Sequence, residues 1–248
     1  MAQIDGHTGN HKASGDLIPQ YCWNADVCID ANKVRERLLD IENQIVPCKP
    51  RIIGVTKYYG LDSIVKGYEA GLRDFGESRA LDAVKKIESL PNEIRQNSKF
   101  HFIGHLQTNK VEKVVKCFDY IHSVDSLKLA KVISRTLGEN KRIKILLQVN
   151  NAGEEQKFGY SKQALIEDLP EIMKLDNLEL IGLMNIAPLG AEENELRRLF
   201  SDMANFRVEL EQNFGIELTE LSMGMSDDYK IAVQEGATMI RLGRKLFA

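Results

Sequence analysis

The sequence predicts a single-domain α/β protein, an eight-stranded parallel (β/α)8 barrel of the TIM-barrel class. Three observations lead there. Short β-rich runs alternate with amphipathic helical stretches from residue 51 to the end, the pattern of a parallel sheet with helical crossovers. The alternation repeats eight times, which favours closure into a barrel over an open sheet. The 248 residues match the length of about 250 at which such barrels stand as one domain. On pattern alone, an open doubly wound sheet is the alternative.

Residues 1–24 are polar and without periodicity, and are expected to form a disordered extension. The barrel domain is therefore placed over 25–248. A leading helix is predicted from Val27, Ile29, Val34, Leu38, Leu39, Ile41 and Ile45, closing before Pro47. The eight strand runs are Arg51–Lys57, Asp74–Glu77, Lys99–Leu106, Asp119–Val124, Ile143–Asn150, Leu178–Ile186, Glu220–Met225 and Thr238–Gly243. Between them, helices are marked by Ile64, Val65 and Tyr68 up to Gly71; by Leu81, Val84 and Ile87; and by Val111, Val114 and Val115. Further helices span Leu127–Leu137 and Lys162–Met173, followed by a long one ending near Phe214 and a last one through Ile231 and Val233.

Composition narrows the function. The chain is 43% hydrophobic and 28% charged with a net charge of −3, and its charges are interspersed, so no nucleic-acid footprint is expected. No apolar run approaches the roughly 20 residues that cross a bilayer, so no membrane partner is expected. The start carries Asp5 and Asp16 and no arginine before Arg35, which argues against a secretion or import signal. Cys22, Cys28, Cys48 and Cys117 are scattered without zinc-site spacing and are expected to be reduced thiols in a cytoplasmic protein. No GxSxG, HExxH or Walker loop occurs.

In this architecture chemistry gathers at the C-terminal ends of the strands, and phosphate is often held after strands seven and eight. That yields Lys57, Glu77, His105, Gln107, Ser123, Asn150, Met184, Asn185, Ser222, Met225, Ser226, Arg241 and Gly243 without any motif. Lys57 follows the apolar stretch Ile52 to Thr56, so its stem should start inside the barrel mouth. It is either a functional amine, active as a nucleophile once deprotonated, or a strand-end lysine reaching solvent. Leu221-Ser-Met-Gly-Met-Ser226 is small and glycine-opened, which lets backbone approach an anion. Ser226 is placed where a helix begins, as an anion ligand or a plain N-cap. Arg241-Leu-Gly-Arg244 supplies a second such backbone beside the first. His101 and His105 read as a hydrogen-bonded core histidine and a loop histidine, since no further ligands make a metal site. Met184, Met223 and Met225 read by their chemistry as packing.

The residues Gly54-Val-Thr-Lys57, Asp74-Phe-Gly-Glu77, His101-Phe-Ile-Gly104, Leu106-Gln-Thr-Asn-Lys110, Gln148-Val-Asn150, Lys157-Phe-Gly159, Gly182-Leu-Met184, Leu221-Ser-Met-Gly-Met-Ser-Asp227 and Gly236-Ala-Thr-Met-Ile-Arg-Leu-Gly243 occur in one order. In that order they resemble the pyridoxal phosphate homeostasis protein family, from about residue 30 onward. The resemblance implies a barrel like the N-terminal domain of alanine racemase, with pyridoxal 5′-phosphate as cofactor in a Schiff base on Lys57. It implies a phosphate-binding segment of Ser222, Met223, Met225 and Ser226, with Gly243 and Arg244, and Arg241 beside the pyridine nitrogen. Two positions depart from the family pattern: Ser78 stands for the usual Asn and Phe100 for the usual Trp.

Two functions compete: a carrier in intracellular vitamin B6 homeostasis with no catalytic residue of its own, and a racemase-like enzyme. Enzymes add general acids and bases around this cofactor. The eighth run closes near Leu242 and the sequence ends at Ala248, leaving no length for the second domain that completes a racemase of this fold. A carrier is therefore expected, as a monomer, with pyridoxal phosphate-dependent apoenzymes as partners. A cofactor-free Schiff-base aldolase would also use Lys57 but would need a sugar phosphate for the paired loops.

Overall fold

The computed structural model describes residues 28–139, 141–154 and 156–248. The expectations for residues 1–24 and for Cys22 lie outside them. Eight parallel strands close in sequence order into a barrel: β1 (Arg51–Val55), β2 (Asp74–Glu77), β3 (Lys99–Phe102), β4 (Tyr120–Val124), β5 (Ile143–Gln148), β6 (Leu178–Met184), β7 (Glu220–Ser222) and β8 (Met239–Leu242). Closure is made by β8 on β1, with Ile53 opposite Arg241. The open-sheet alternative is thereby excluded.

A helix α1 (Ala31–Gln44) precedes the barrel, started by Asp30, whose carboxylate accepts from the Asn32 amide at 2.8 Å. That cap starts the helix later than Ile29, although Ile29 is buried as the apolar pattern requires; the expectation for Val27 lies outside the described residues. The crossovers are α2 (Asp62–Ala70), α3 (Ala80–Glu88) with the short α4 (Asn92–Gln96), α5 (Val111–Cys117), α6 (Leu127–Leu137), α7 (Lys162–Ile172), α8 (Glu193–Phe214) and α9 (Tyr229–Gln234). A final turn of helix, α10 (Arg244–Phe247), packs on α1. Arg37 ties the two by donating to the Leu246 carbonyl at 2.9 Å. In α6 the pattern is direct: Ser126 caps the start, Leu129, Ala130, Ile133 and Leu137 are buried, and Gly138 at φ 69° ends the helix.

Side chains alternate across each strand. In β8, Ile240 and Leu242 join the layer under the helices, whereas Met239 faces the barrel interior with Ile53, Tyr120, Leu146, Ile181 and Met184. β6 and β7 approach so closely that a Cβ on Gly182 would lie 1.8 Å from the Glu220 carbonyl oxygen, so only glycine fits there. Several strands are shorter than their sequence runs. β1 stops at Val55, and Lys57 stands two residues beyond it, in a turn closed by the Tyr59 amide on the Thr56 carbonyl at 3.0 Å. Among the described residues no helix is long and apolar enough to cross a membrane.

Candidate functional site

Lys57 is half-buried at the C-terminal mouth of the barrel. It lines a cavity of about 270 Å³ with Ile103, Gln148, Asn150, Phe158 and Ile186. The turn that carries it is fixed from below by a buried cluster. Lys86 of α3 donates to the carbonyls of Thr56 and Tyr59 at 2.9 and 2.7 Å and to Glu77 Oε1 at 2.6 Å. The same carboxylate oxygen accepts from the Thr56 hydroxyl at 2.7 Å. Glu77 was among the strand-end candidates. Lys86 was missed, although it shares the buried face of an amphipathic helix with Ala83 and Ile87.

Across the mouth, β7 and β8 bring the other candidates together. Arg241 is 4% exposed. One guanidinium nitrogen donates to the carbonyl and hydroxyl of Ser222 at 2.7 and 2.8 Å, the other to the Asn185 carbonyl at 2.8 Å. These contacts use at most three of its five N–H groups. Burial lowers its pKa to about 10, partly offset by the Asp228 carboxylate, which leaves it a cation at neutral pH. Beside it the buried Asn185 Oδ1 has no hydrogen-bond partner among the described residues. A buried cation with unused donors next to an unpaired acceptor suits a polar ligand in the barrel mouth.

After Ser222 the chain turns through Gly224 at φ 91°. Met223 is buried in the core, as its chemistry suggested, and Met225 is half-buried. Ser226 does not start a helix: α9 begins at Tyr229, and Asp228 accepts from the Met225 amide in the preceding turn. The Ser226 hydroxyl instead lies 3.4 Å from the Lys245 amide, linking the loops after β7 and β8. Gly243 leads into Arg244, whose exposed guanidinium pairs with Asp227 at 2.6 Å.

A polar chain runs beside the apolar side chains of the interior behind this mouth. His101 Nε2 lies 2.9 Å from Asp74 Oδ1, His101 Nδ1 lies 2.9 Å from His122 Nε2, and His122 Nδ1 lies 2.9 Å from Ser222 Oγ. Burial lowers the pKa of both imidazoles, that of His122 well below the ordinary range. His101 is thus the hydrogen-bonded core histidine expected. His105 is a loop residue, stacked on Phe158 with ring centroids 3.6 Å apart and 3.2 Å from Asp125.

The model of the family described as "Alanine racemase, N-terminal domain" matches residues 29–248. A pyridoxal phosphate homeostasis protein of Synechocystis is 45% identical over 203 residues, covering 82% of this chain and 92% of that one. The chain belongs to the pyridoxal phosphate homeostasis protein family. The human protein of that name is 35% identical over 213 residues, covering 80% of this chain and 76% of its own. The structure of the family member PipY from Synechococcus elongatus with pyridoxal phosphate bound superposes with a TM-score of 0.79 at 40% identity, over 87% of this chain and 100% of that one. Alanine racemase of Clostridium difficile, at 16% identity and a TM-score of 0.69 over 88% of this chain and 57% of that one, shares the fold. Within the homeostasis family fold, sequence reasoning missed His122, whose only signal was a histidine two residues after Tyr120 on the interior face of its strand.

Proposed function

We propose that this chain binds pyridoxal 5′-phosphate in the barrel mouth as a Schiff base on Lys57 and carries it in intracellular vitamin B6 homeostasis. The observation that supports this most is the buried Arg241, whose guanidinium still has N–H groups unused among the described residues, in a barrel whose C-terminal mouth carries Lys57. That a relative at 40% identity holds this cofactor adds to it. Bound there, the cofactor would supply an aldehyde for a lysine amine and a ring that can withdraw electrons. Lys57 supplies the amine. Arg241 would offer an N–H donor to the ring nitrogen and, as a cation, would disfavour a proton there. Ser222, Met223, Met225 and Ser226 with Gly243 and Arg244 form the phosphate side, where Ser226 and Arg244 offer side-chain donors. Phe158, which lines the cavity, is exposed, and an accessible site suits handing the cofactor to apoenzymes more than excluding water. The protein acts as a monomer in the cytoplasm on this reading.

The test is spectroscopic and catalytic. The purified chain should show cofactor absorbance that borohydride fixes to protein, and Lys57→Ala should lose the fixed adduct while keeping the fold. The loaded protein, screened against amino acids of both hands, should turn over none efficiently. Turnover in the enzyme range of about 1–10³ s⁻¹, lost in Lys57→Ala, would replace the carrier with a racemase-like enzyme.

A further inference from the structure

The groups between Asp74 and Arg241 form an unbroken chain: Asp74 to His101, His101 to His122, His122 to Ser222, and Ser222 to Arg241, each contact 2.8–2.9 Å long. The three central members are fully buried. With both rings neutral, as their burial favours, the chemistry of the two ends fixes every proton between them. A guanidinium only donates, and a carboxylate only accepts. Asp74 therefore needs the proton of His101 on Nε2, which leaves His101 Nδ1 an acceptor. His122 must then carry its proton on Nε2, so its Nδ1 accepts in turn. The donor to that nitrogen is the Ser222 hydroxyl, whose oxygen accepts from Arg241. All members are satisfied with both imidazoles neutral, and every donor points from Arg241 towards Asp74.

Asp74, like Arg51, Tyr120 and Glu220, is the first residue of its strand, so the chain starts at the N-terminal rim. There Arg51 bonds the Tyr120 hydroxyl at 2.8 Å and lies 3.7 and 3.6 Å from Asp74 and Glu220. It ends on the residue that faces the opposite mouth. Aligned hydrogen bonds in a low-dielectric interior polarise one another, so the carboxylate acts on a guanidinium it does not touch.

We infer that Asp74, His101, His122 and Ser222 are positioning residues, a one-way hydrogen-bond relay that fixes the orientation of Arg241 and so aims its unused donors at the cofactor ring. The aim at the ring rests on the cofactor reading above; the relay itself does not.

The experiment uses the full chain labelled with ¹⁵N-histidine. In the cofactor-free protein at pH 7, NMR should show His101 and His122 neutral with the proton on Nε2. Asp74→Asn should shift the ring nitrogens of His122, which Asp74 does not touch, and Ser222→Ala should shift those of His101 from the other end. Either variant suffices if the other does not fold. A proton on Nδ1 of either ring, or a distal histidine indifferent to both changes, overturns the relay. In the loaded protein, Asp74→Asn should move the cofactor absorbance maximum, and Glu220→Gln, on the same rim but off the chain, should not. An unmoved maximum overturns the positioning role. A chain that shows the relay by NMR yet takes up no pyridoxal phosphate overturns the cofactor reading and leaves the relay standing.

Discussion

Lys86 Nζ and Glu77 Oε1 lie 2.6 Å apart in a pair almost sealed from solvent, directly beneath the turn that carries Lys57. Breaking a buried pair from one side strands the other charge. Lys86 also holds two backbone carbonyls of that turn, those of Thr56 and Tyr59. Lys86→Met should therefore destabilise the fold by about 3–5 kcal/mol, read from the urea midpoint, and should lower cofactor occupancy because Lys57 loses its platform. The double variant Lys86→Met/Glu77→Leu should recover part of the stability by removing both charges, while occupancy stays low. A single variant as stable as the parent would show that the pair does not support the turn.

The anion side separates two forms of vitamin B6. Ser226→Ala and Arg244→Ala should each weaken pyridoxal phosphate more than pyridoxal, since a hydrogen bond to a charged group is worth about 1.5–3 kcal/mol and pyridoxal lacks the phosphate. Asp227 pairs with Arg244 at the surface, so Asp227→Asn should act in the opposite direction and tighten the phosphate form. Titrations with the two ligands decide this. Equal losses for both would remove Ser226 and Arg244 from the phosphate site.

The two interior histidines make stability depend on pH. Burial holds both pKa values below the ordinary one; Asp74 opposes this at His101, while His101, Arg241 and Arg51 reinforce it at His122. In the unfolded chain an imidazole titrates near about 6.5. Below that pH the unfolded state binds protons that the folded state refuses. The stabilisation is therefore complete above about 6.5 and is lost as pH falls towards the folded values. Each histidine contributes a slope of at most about 1.4 kcal/mol per pH unit. Melting temperatures should stay level from pH 8 to 7 and drop between 6.5 and 5. A flat profile across that lower window would contradict neutral, buried rings.

Strand–helix alternation and chain length made the barrel legible from sequence, because apolar periodicity is local. The places of Ser222 at the end of β7, Arg241 near the end of β8 and Lys57 just past β1 were legible as well, since a strand end is a place that alternation defines. The interior polar chain was not. His122 lies two residues from Tyr120, and its meaning comes from His101 on β3 and Ser222 on β7, which approach only when the barrel closes. Lys86 was hidden for the same reason: its acceptors belong to the β1 turn and to β2. Ser226 was misplaced as a helix start because a turn, in which the Asp228 carboxylate accepts from the Met225 amide, intervenes before α9 begins at Tyr229.

Gly224 gives a prediction that depends on backbone alone. Its φ of 91° lies where side-chain-bearing residues are strained. A Cβ added there would stand 2.6 Å from the Ala232 Cβ and 3.0 Å from the Tyr229 Cα. Both neighbours belong to α9, and neither is the end of a flexible side chain. Gly224→Ala must therefore push α9 away from the segment that joins Ser222 to Ser226. Backbone strain of about 1–3 kcal/mol adds to overpacking of about 1–3 kcal/mol, so a loss of roughly 2–6 kcal/mol is expected. The displacement should also separate Ser226 from Lys245, whose amide its hydroxyl meets. Phosphate affinity should fall even at temperatures where the variant remains folded. Gly236→Ala is the control: its φ is also positive, at 97°, but no atom lies within 4 Å of an added Cβ. It should show the backbone strain without the loss of phosphate binding. If both variants bind pyridoxal phosphate as the parent does, the packing of α9 against Gly224 does not shape the anion site.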